Sequence, residues 1–315
     1  MIATFIWVLL LGCAALGLWW YGKGVTEHFL GPQSLETLWH RIIPIALLVG
    51  PMAVIMLGGG LDLSVGAVVA LASVVSATAL SEGQSPEEAF FLAMIFAGGV
   101  GLLHGLLVSV AAINPIVLTL VTTVLIQGLA TSIAGDQPHI LIGRDPGFLE
   151  SLYHSPLLPG VSVGISLLLI QLAQIGGGSG GLPVTRQPWY RRTFFIALPY
   201  ILSSLGAGVI GCSLVGQMRA GSPLAAPQMA FMVVFAALIG GNCSGRRFGS
   251  VIGAVAAAVV FVVLENTMLM DAVATDLITF IMAAAAGGSL LLSQLLYWII
   301  NLIYRKSRVK TQPTV

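Results

Sequence analysis

The chain has 315 residues, 57% of them hydrophobic and only 8% charged. A formal net charge of +1 leaves no basic field for nucleic acid. The apolar residues gather into about ten membrane-length runs, which excludes an ordinary soluble domain and points to helices that satisfy their own backbone in lipid.

In chain order the expected spans are 2–21, 42–58, 63–80, 89–112, 116–134, 158–174, 193–218, 227–241, 249–270 and 276–303. The first contains Leu10-Leu11-Gly12-Cys13, a match to a lipoprotein cleavage box, but nothing basic precedes it, so an uncleaved helix is expected. Cys13, Cys212 and Cys243 lie far apart and give neither a zinc spacing nor a disulfide framework.

Lysines and arginines set the direction. Arg305, Lys306, Arg308 and Lys310 in the tail, Arg186, Arg191 and Arg192 in the 175–192 loop, and Arg246 and Arg247 in the 242–248 loop share one side of a ten-span chain. Only Lys23, Arg41, Arg144 and Arg219 fall opposite. The positive-inside rule then places both termini in the cytoplasm. The expectation is an all-α polytopic membrane protein: one transmembrane domain over 1–304 with halves near 1–157 and 158–304, and a basic cytoplasmic tail over 305–315.

The halves echo each other. Met52–Leu80 runs from an apolar stretch through Gly58-Gly59-Gly60 into Leu61-Asp62-Leu63-Ser64-Val65-Gly66 and a second apolar stretch. Gln228–Leu264 repeats the plan through Gly240-Gly241 and Phe248-Gly249-Ser250-Val251-Ile252-Gly253. Parallel repeats of this kind are common in transporters; duplication also serves purely structural proteins.

Asp62 is the most informative residue. A carboxylate at membrane depth costs about 2.5–3.5 kcal/mol on insertion scales and needs a partner or water. Two roles stay open: a cap alone on the helix beginning at Leu63-Ser64-Val65-Gly66, or a cap that also lines a polar gate or a contact with a cytoplasmic partner.

Gly59-Gly60-Leu61-Asp62-Leu63-Ser64-Val65-Gly66-Ala67-Val68-Val69-Ala70-Leu71-Ala72 resembles the signature of the ribose-type ABC importer permeases. Two further blocks follow in the family's order. One is Asn114-Pro115-Ile116-Val117-Leu118-Thr119-Leu120, continuing to Gln137-Pro138; the other is Ile239-Gly240-Gly241 with Phe248–Gly253 and Asn266. The resemblance implies a permease subunit carrying a sugar or related small polar solute in the bacterial inner membrane. It also implies partners: a second permease subunit, a cytoplasmic ABC ATPase and a periplasmic solute-binding protein, all within membrane lipids. Asp62, Ser64 and Gly66 are then cap or gate residues, and Asn114, Thr119, Gly240, Gly241, Asn242 and Asn266 are pathway candidates.

The resemblance weakens on the cytoplasmic face. Relatives carry a short helical ATPase-docking segment between the sixth and seventh spans. Here Gln174-Ile175 leads into Gly176-Gly177-Gly178-Ser179-Gly180-Gly181 and a proline-containing stretch, a composition hostile to a helix. Gln174, Arg186, Tyr190, Arg191, Arg192, Arg246 and Arg247 are the coupling-surface candidates. The glycine run lacks the Lys-Ser/Thr of a phosphate-binding loop, so ATP hydrolysis is expected from a partner chain. The alternative is a permease fold without ATP coupling, serving as a structural subunit of another membrane complex. His104, in a glycine-rich span, reads as packed and hydrogen-bonded rather than as a metal or pigment ligand. No enzyme active site, cofactor or metal site is expected.

Overall fold

The computed structural model describes residues 32–135, 138–141, 145–154, 189–226, 228–240, 251–270, 272–274 and 276–288, with a few isolated helical positions elsewhere. The expected spans over 2–21 and 158–174, and the end of the last beyond 288, lie outside the described residues. What is described is nearly all helical.

Helix α1 (Pro32–Leu57) contains Pro44 and Pro51, each removing one rung of the backbone ladder. It stops at the glycine triplet. Gly60 N–H donates to Ile55 O (3.0 Å) and Gly59 N–H to Met56 O (3.0 Å). Gly59 sits at φ 86°, a left-handed conformation that closes a Schellman cap at little steric cost.

The chain then turns into α2 (Val65–Ser81), whose side chains are almost all buried. It is the axis of the main hydrophobic core. At about 1.5 Å per residue it is some 26 Å long, a little short of the hydrocarbon thickness. The next junction follows local rules closely. Pro86 occupies the first turn of α3 (Pro86–Ser109), and Ser85 and Glu88 form a reciprocal capping box. Helix α4 (Pro115–Ala134) begins the same way, with Asn114 accepting from Ile116 N–H (3.0 Å) and Val117 N–H (3.4 Å) ahead of Pro115. The span expected to reach 112 therefore ends at Ser109, where the chain breaks before Ala112 (φ 53°) and the Asn-Pro cap.

Beyond α4 a two-residue strand, β1 (His139–Ile140), precedes α5 (Phe148–His154). Helix α6 (Trp189–Met218) is followed by β2 (Ala220–Gly221), which pairs antiparallel with β1. This small ladder departs from the all-α expectation. Helices α7 (Met229–Ile239), α8 (Val251–Met270) and α9 (Asp276–Gly288) complete the described chain.

Five described helices are long and apolar enough to cross a membrane: α1, α3, α4, α6 and α8. Three more, α2, α7 and α9, are apolar but shorter. Of the two echoing segments, α1–turn–α2 is described throughout, whereas the turn between α7 and α8 lies outside the described residues.

Helices α3 and α6 have the most extensive contact of any pair. Small residues make it possible. Ala89, Ala93, Ala97, Gly101 and Gly105 recur every four positions on α3 and all are buried. A side chain on Gly105 would meet Ala197 Cα at 2.6 Å, and one on Gly101 would meet Ile201 Cα at 2.7 Å. In lipid, where helices gain little from the hydrophobic effect, such backbone proximity supplies much of the association energy.

Candidate functional site

The turn between α1 and α2 is held from three sides. Asp62, 1% exposed, accepts from Ser64 N–H (3.1 Å) and Ser64 Oγ–H (2.6 Å) on Oδ1. Its other oxygen, Oδ2, accepts from Ser203 Oγ–H of α6 at 2.8 Å. The preceding carbonyl, Leu61 O, accepts from Thr119 Oγ–H of α4 at 3.1 Å; Thr119 shares that donor with Pro115 O at 2.9 Å. Gly60 completes the clamp: a side chain there would strike Tyr200 Oη (2.8 Å) and Pro115 Cγ (3.1 Å). A carboxylate taken from water is tolerable only with such partners.

The capping geometry differs in detail from the simple expectation. Ser64 is the residue before α2, and its own side chain caps nothing. Asp62 lies two residues further back and bonds the Ser64 amide, so it fixes the turn that feeds the helix. Gly66, one turn on, allows α2 to lie against the backbone ahead of α7: a side chain there would meet Ala226 O at 2.7 Å.

His104 sits beside this cluster, fully buried, its ring edge-on to Tyr200 with centroids 6.3 Å apart. Its Nε2 lies 2.7 Å from Thr122 Oγ1. Thr122 Oγ1 also lies within reach of Leu118 O (3.0 Å) and Thr119 O (3.2 Å), so its one rotatable hydroxyl joins the imidazole to the α4 backbone. Among the described residues no group of three His, Cys, Asp or Glu side chains could hold a metal.

A second polar region lies towards the other end of α6. Ser203 and Gln217 are about 21 Å apart along that helix at 1.5 Å per residue. There a half-open cavity of about 520 Å³ lies between residues 37–47 of α1, the C-terminal half of α6, and parts of α5, α7 and α8. Arg41, partly exposed, and Glu265 approach each other in its wall, Nη1 to Oε1 3.9 Å. Gln217 Nε2–H donates to Tyr153 Oη at 2.6 Å, and the Tyr153 ring stacks on His40 with centroids 4.1 Å apart. Burial, reinforced by the Glu36 carboxylate and opposed by Arg41, holds the Tyr153 phenol above its ordinary value, so it stays protonated at neutral pH. Just outside, Arg219 and Glu150 form a 2.9 Å ion pair. A smaller apolar cavity of about 270 Å³ between α7, α8 and α9 shares Met232 and Glu265 with the larger one.

The sequence-derived candidates scatter. Asp62, Ser64 and Thr119 meet at the clamp, with Asn114 capping the same end of α4. Gly240 packs closely against the Ala254 backbone of α8. Asn266 is buried with Nδ2 3.7 Å from Met270 Sδ. Tyr190 is exposed at the start of α6; the side chains of Arg191 and Arg192 lie outside the described set, as do Gly241, Asn242, Gln174, Arg186, Arg246 and Arg247. Ser203, Tyr200, Tyr153 and Gln217 carry no motif, and sequence reasoning missed them.

Residues 34–140 match the family model for the permease component of the branched-chain amino acid transport system. The chain is also similar to curated sugar permeases over most of both lengths. It is 23% identical to the ribose import permease RbsC of Bacillus subtilis, covering 77% of this chain and 79% of that one. The chain is similar to the monosaccharide ABC importer permeases along most of its length. Identity to the D-allose permease AlsC of Escherichia coli is 25% (74% and 76% covered), and to the L-arabinose permease AraH of Azospirillum brasilense 25% (85% and 80% covered). No solved structure matches it. With five long apolar helices among its described residues, the chain is a multi-pass membrane protein.

Proposed function

We propose that this chain is the membrane-spanning subunit of a binding-protein-dependent ABC importer for a sugar or related small polar solute in the bacterial inner membrane. It works as a homo- or heterodimer with separate ATPase subunits, and is not itself an enzyme. The observation that carries this reading is similarity to sugar permeases across about three quarters of both chains, rather than to one local motif.

The geometry supports an outline of the mechanism. The solute-binding protein docks over residues 22–41, which include the start of α1, and over 135–157, which include β1 and α5, and the ATPase engages 174–192 with Arg246 and Arg247 beside it. Between them, the clamped Asp62 turn gives α1 and α2 a fixed elbow against α4 and α6. A rigid elbow allows movement at the ATPase face to reach the rest of the bundle as a rocking of packed helices, not as local melting. Asn114, Thr119, Gly240, Gly241, Asn242 and Asn266 remain pathway candidates on this reading.

The test is to express the full chain with the products of its neighbouring genes, purify it and measure uptake. Co-purification of an ABC ATPase, and ATP-dependent uptake of a labelled monosaccharide into vesicles carrying the complex, support the importer. Reproducible absence of any ATPase, with a different membrane assembly in its place, favours the structural-subunit alternative.

A further inference from the structure

The smaller cavity, of about 270 Å³, is a slot between three helices. Phe231 and Phe235 face it from α7, Phe261 and Leu269 from α8, and Met282 from α9. Phe261 and Leu269 are eight residues apart on one helix, so the slot runs for about 12 Å along α8. Apolar cavities stay dry and accept apolar guests. This one also opens sideways: Phe231 of α7 and Thr279 and Ala283 of α9 line it and are themselves exposed. In a chain that spans a membrane, a lateral opening of this kind faces acyl chains.

The wall of the slot also carries charge. Glu265, one turn from Phe261, belongs both to it and to the larger cavity, where Arg41 Nη1 lies 3.9 Å from Glu265 Oε1. That separation is longer than a hydrogen bond, and among the described residues no hydrogen bond engages the partly exposed Arg41. Its guanidinium therefore keeps donors for a further acceptor. Arg41 lies five residues into its span and Glu265 five residues before the end of α8. Both stand about 8 Å inside their helix ends, and Trp39 beside Arg41 is exposed, as aromatic side chains are at a bilayer interface. On the topology expected from the sequence this interface is the periplasmic one. The slot continues past the charges to Phe235, Phe261 and Met282.

We infer that the slot binds one phosphatidylethanolamine molecule: an acyl chain enters between α7 and α9, the phosphate accepts from Arg41, and the ammonium donates to Glu265. Complementary charge decides the class of lipid. A zwitterionic headgroup presents an anion and a cation close together, as the wall does. Phosphatidylglycerol would set its anion near the Glu265 carboxylate with no cation of its own, and the choline of phosphatidylcholine has no N–H to donate. An acyl chain gains little by exchanging one apolar surrounding for another, so the headgroup sets the preference and the slot sets the place. Helix α9 meets α8 in a small apolar cluster, Phe261 with Ile278 and Met282; a chain in the slot extends that contact. The inference needs only that the protein spans a bilayer, and goes beyond the transport reading.

The test uses the full-length protein, with any subunits that accompany it, in nanodiscs of phosphatidylethanolamine, phosphatidylglycerol and phosphatidylcholine in equal parts. After transfer to detergent, native mass spectrometry should find phosphatidylethanolamine retained about tenfold over the other two, the usual scale for a polar contact to a charged group. Glu265→Gln should abolish that preference. Ala283→Trp, which plugs the opening and leaves both charges, should lower retention several-fold. Because a variant can misfold, the unmodified protein is also given phosphatidylethanolamine with a diazirine in its acyl chain. Irradiation should label the peptides holding Phe231 or Ala283 above the rest of the exposed helix surface. Equal retention of the three lipids, or labelling spread evenly over the exposed helices, overturns the site. Preference for phosphatidylglycerol overturns the assigned headgroup. Glycerophosphoethanolamine, which has no acyl chain, competing as well as the whole lipid overturns the role of the slot. Each of these outcomes leaves the importer reading standing, since that is decided by uptake.

Discussion

Replacing Asp62 with alanine removes three acceptor contacts at once. The Ser64 amide and the Ser203 hydroxyl lose their described partner at a buried site, Asp62 being 1% exposed. Leaving a buried donor unsatisfied costs about 1–3 kcal/mol. Two such groups imply about 2–6 kcal/mol, since the Ser64 hydroxyl can rotate towards a neighbouring carbonyl. Asp62→Asn should be far milder. Its Oδ1 keeps both Ser64 bonds, and the Ser203 hydroxyl can turn to accept from the new amide, for a loss of about 1 kcal/mol. Ser203→Ala should fall between them, stranding Oδ2 without its inter-helix donor. At about 2 °C per kcal/mol for a chain of this size, Asp62→Ala should lower Tm by roughly 4–12 °C and Asp62→Asn by about 2 °C. The assay is thermal unfolding of the purified full-length protein in one detergent, together with the Asp62→Ala/Ser203→Ala double variant. Coupling of about 1–2 kcal/mol in that cycle would show the two side chains acting as one contact. If alanine and asparagine at position 62 cost the same, or if the double variant is simply additive, the clamp does not hold the turn.

Helix packing gives a sharp contrast among glycines. Gly105→Ala and Gly101→Ala should each cost about 1–3 kcal/mol, because the added carbon meets backbone that cannot step aside. Gly99→Ala and Gly128→Ala meet nothing within 4 Å and should raise stability by up to about 1 kcal/mol through helix propensity; Tm measurements on all four decide it. Ser85→Ala, which opens the capping box at the start of α3, should cost about 1 kcal/mol in the same assay. Glu150→Gln breaks an ion pair whose partners are both about half exposed and should cost less than about 1 kcal/mol. Cys212 is completely buried. In a Cys13→Ser/Cys243→Ser background its thiol should resist maleimide until the protein is denatured, as followed by intact mass.

What the sequence made legible was local. Gly59 closing one helix, Ser85-Pro86 with Glu88 opening another and Asn114-Pro115 opening a third are decided within a few residues, and each boundary falls where capping chemistry puts it. The expectation that Asp62 needs a partner was also sound, because the cost of an unpaired buried carboxylate is independent of the fold. The identity of that partner was not legible. Ser203 is 141 residues away, and one serine in an apolar helix looks like any other until the helices are packed. The β1–β2 ladder was invisible for the same reason, since two-residue strands have no period to detect.

The cavity is the extreme case. Arg41 read as a charge on the outer side of the chain, and Glu265, Tyr153 and Gln217 carried no motif; they come from four helices with no shared spacing. Their convergence depends on α1 and α8 packing side by side and on α5 lying against α6. The glycines of α3 are read most directly as packing residues, while the polar groups acquire meaning only once the helices are in place. That ordering is expected of a membrane protein: backbone proximity is encoded locally, and a polar site in lipid exists only where several helices enclose it.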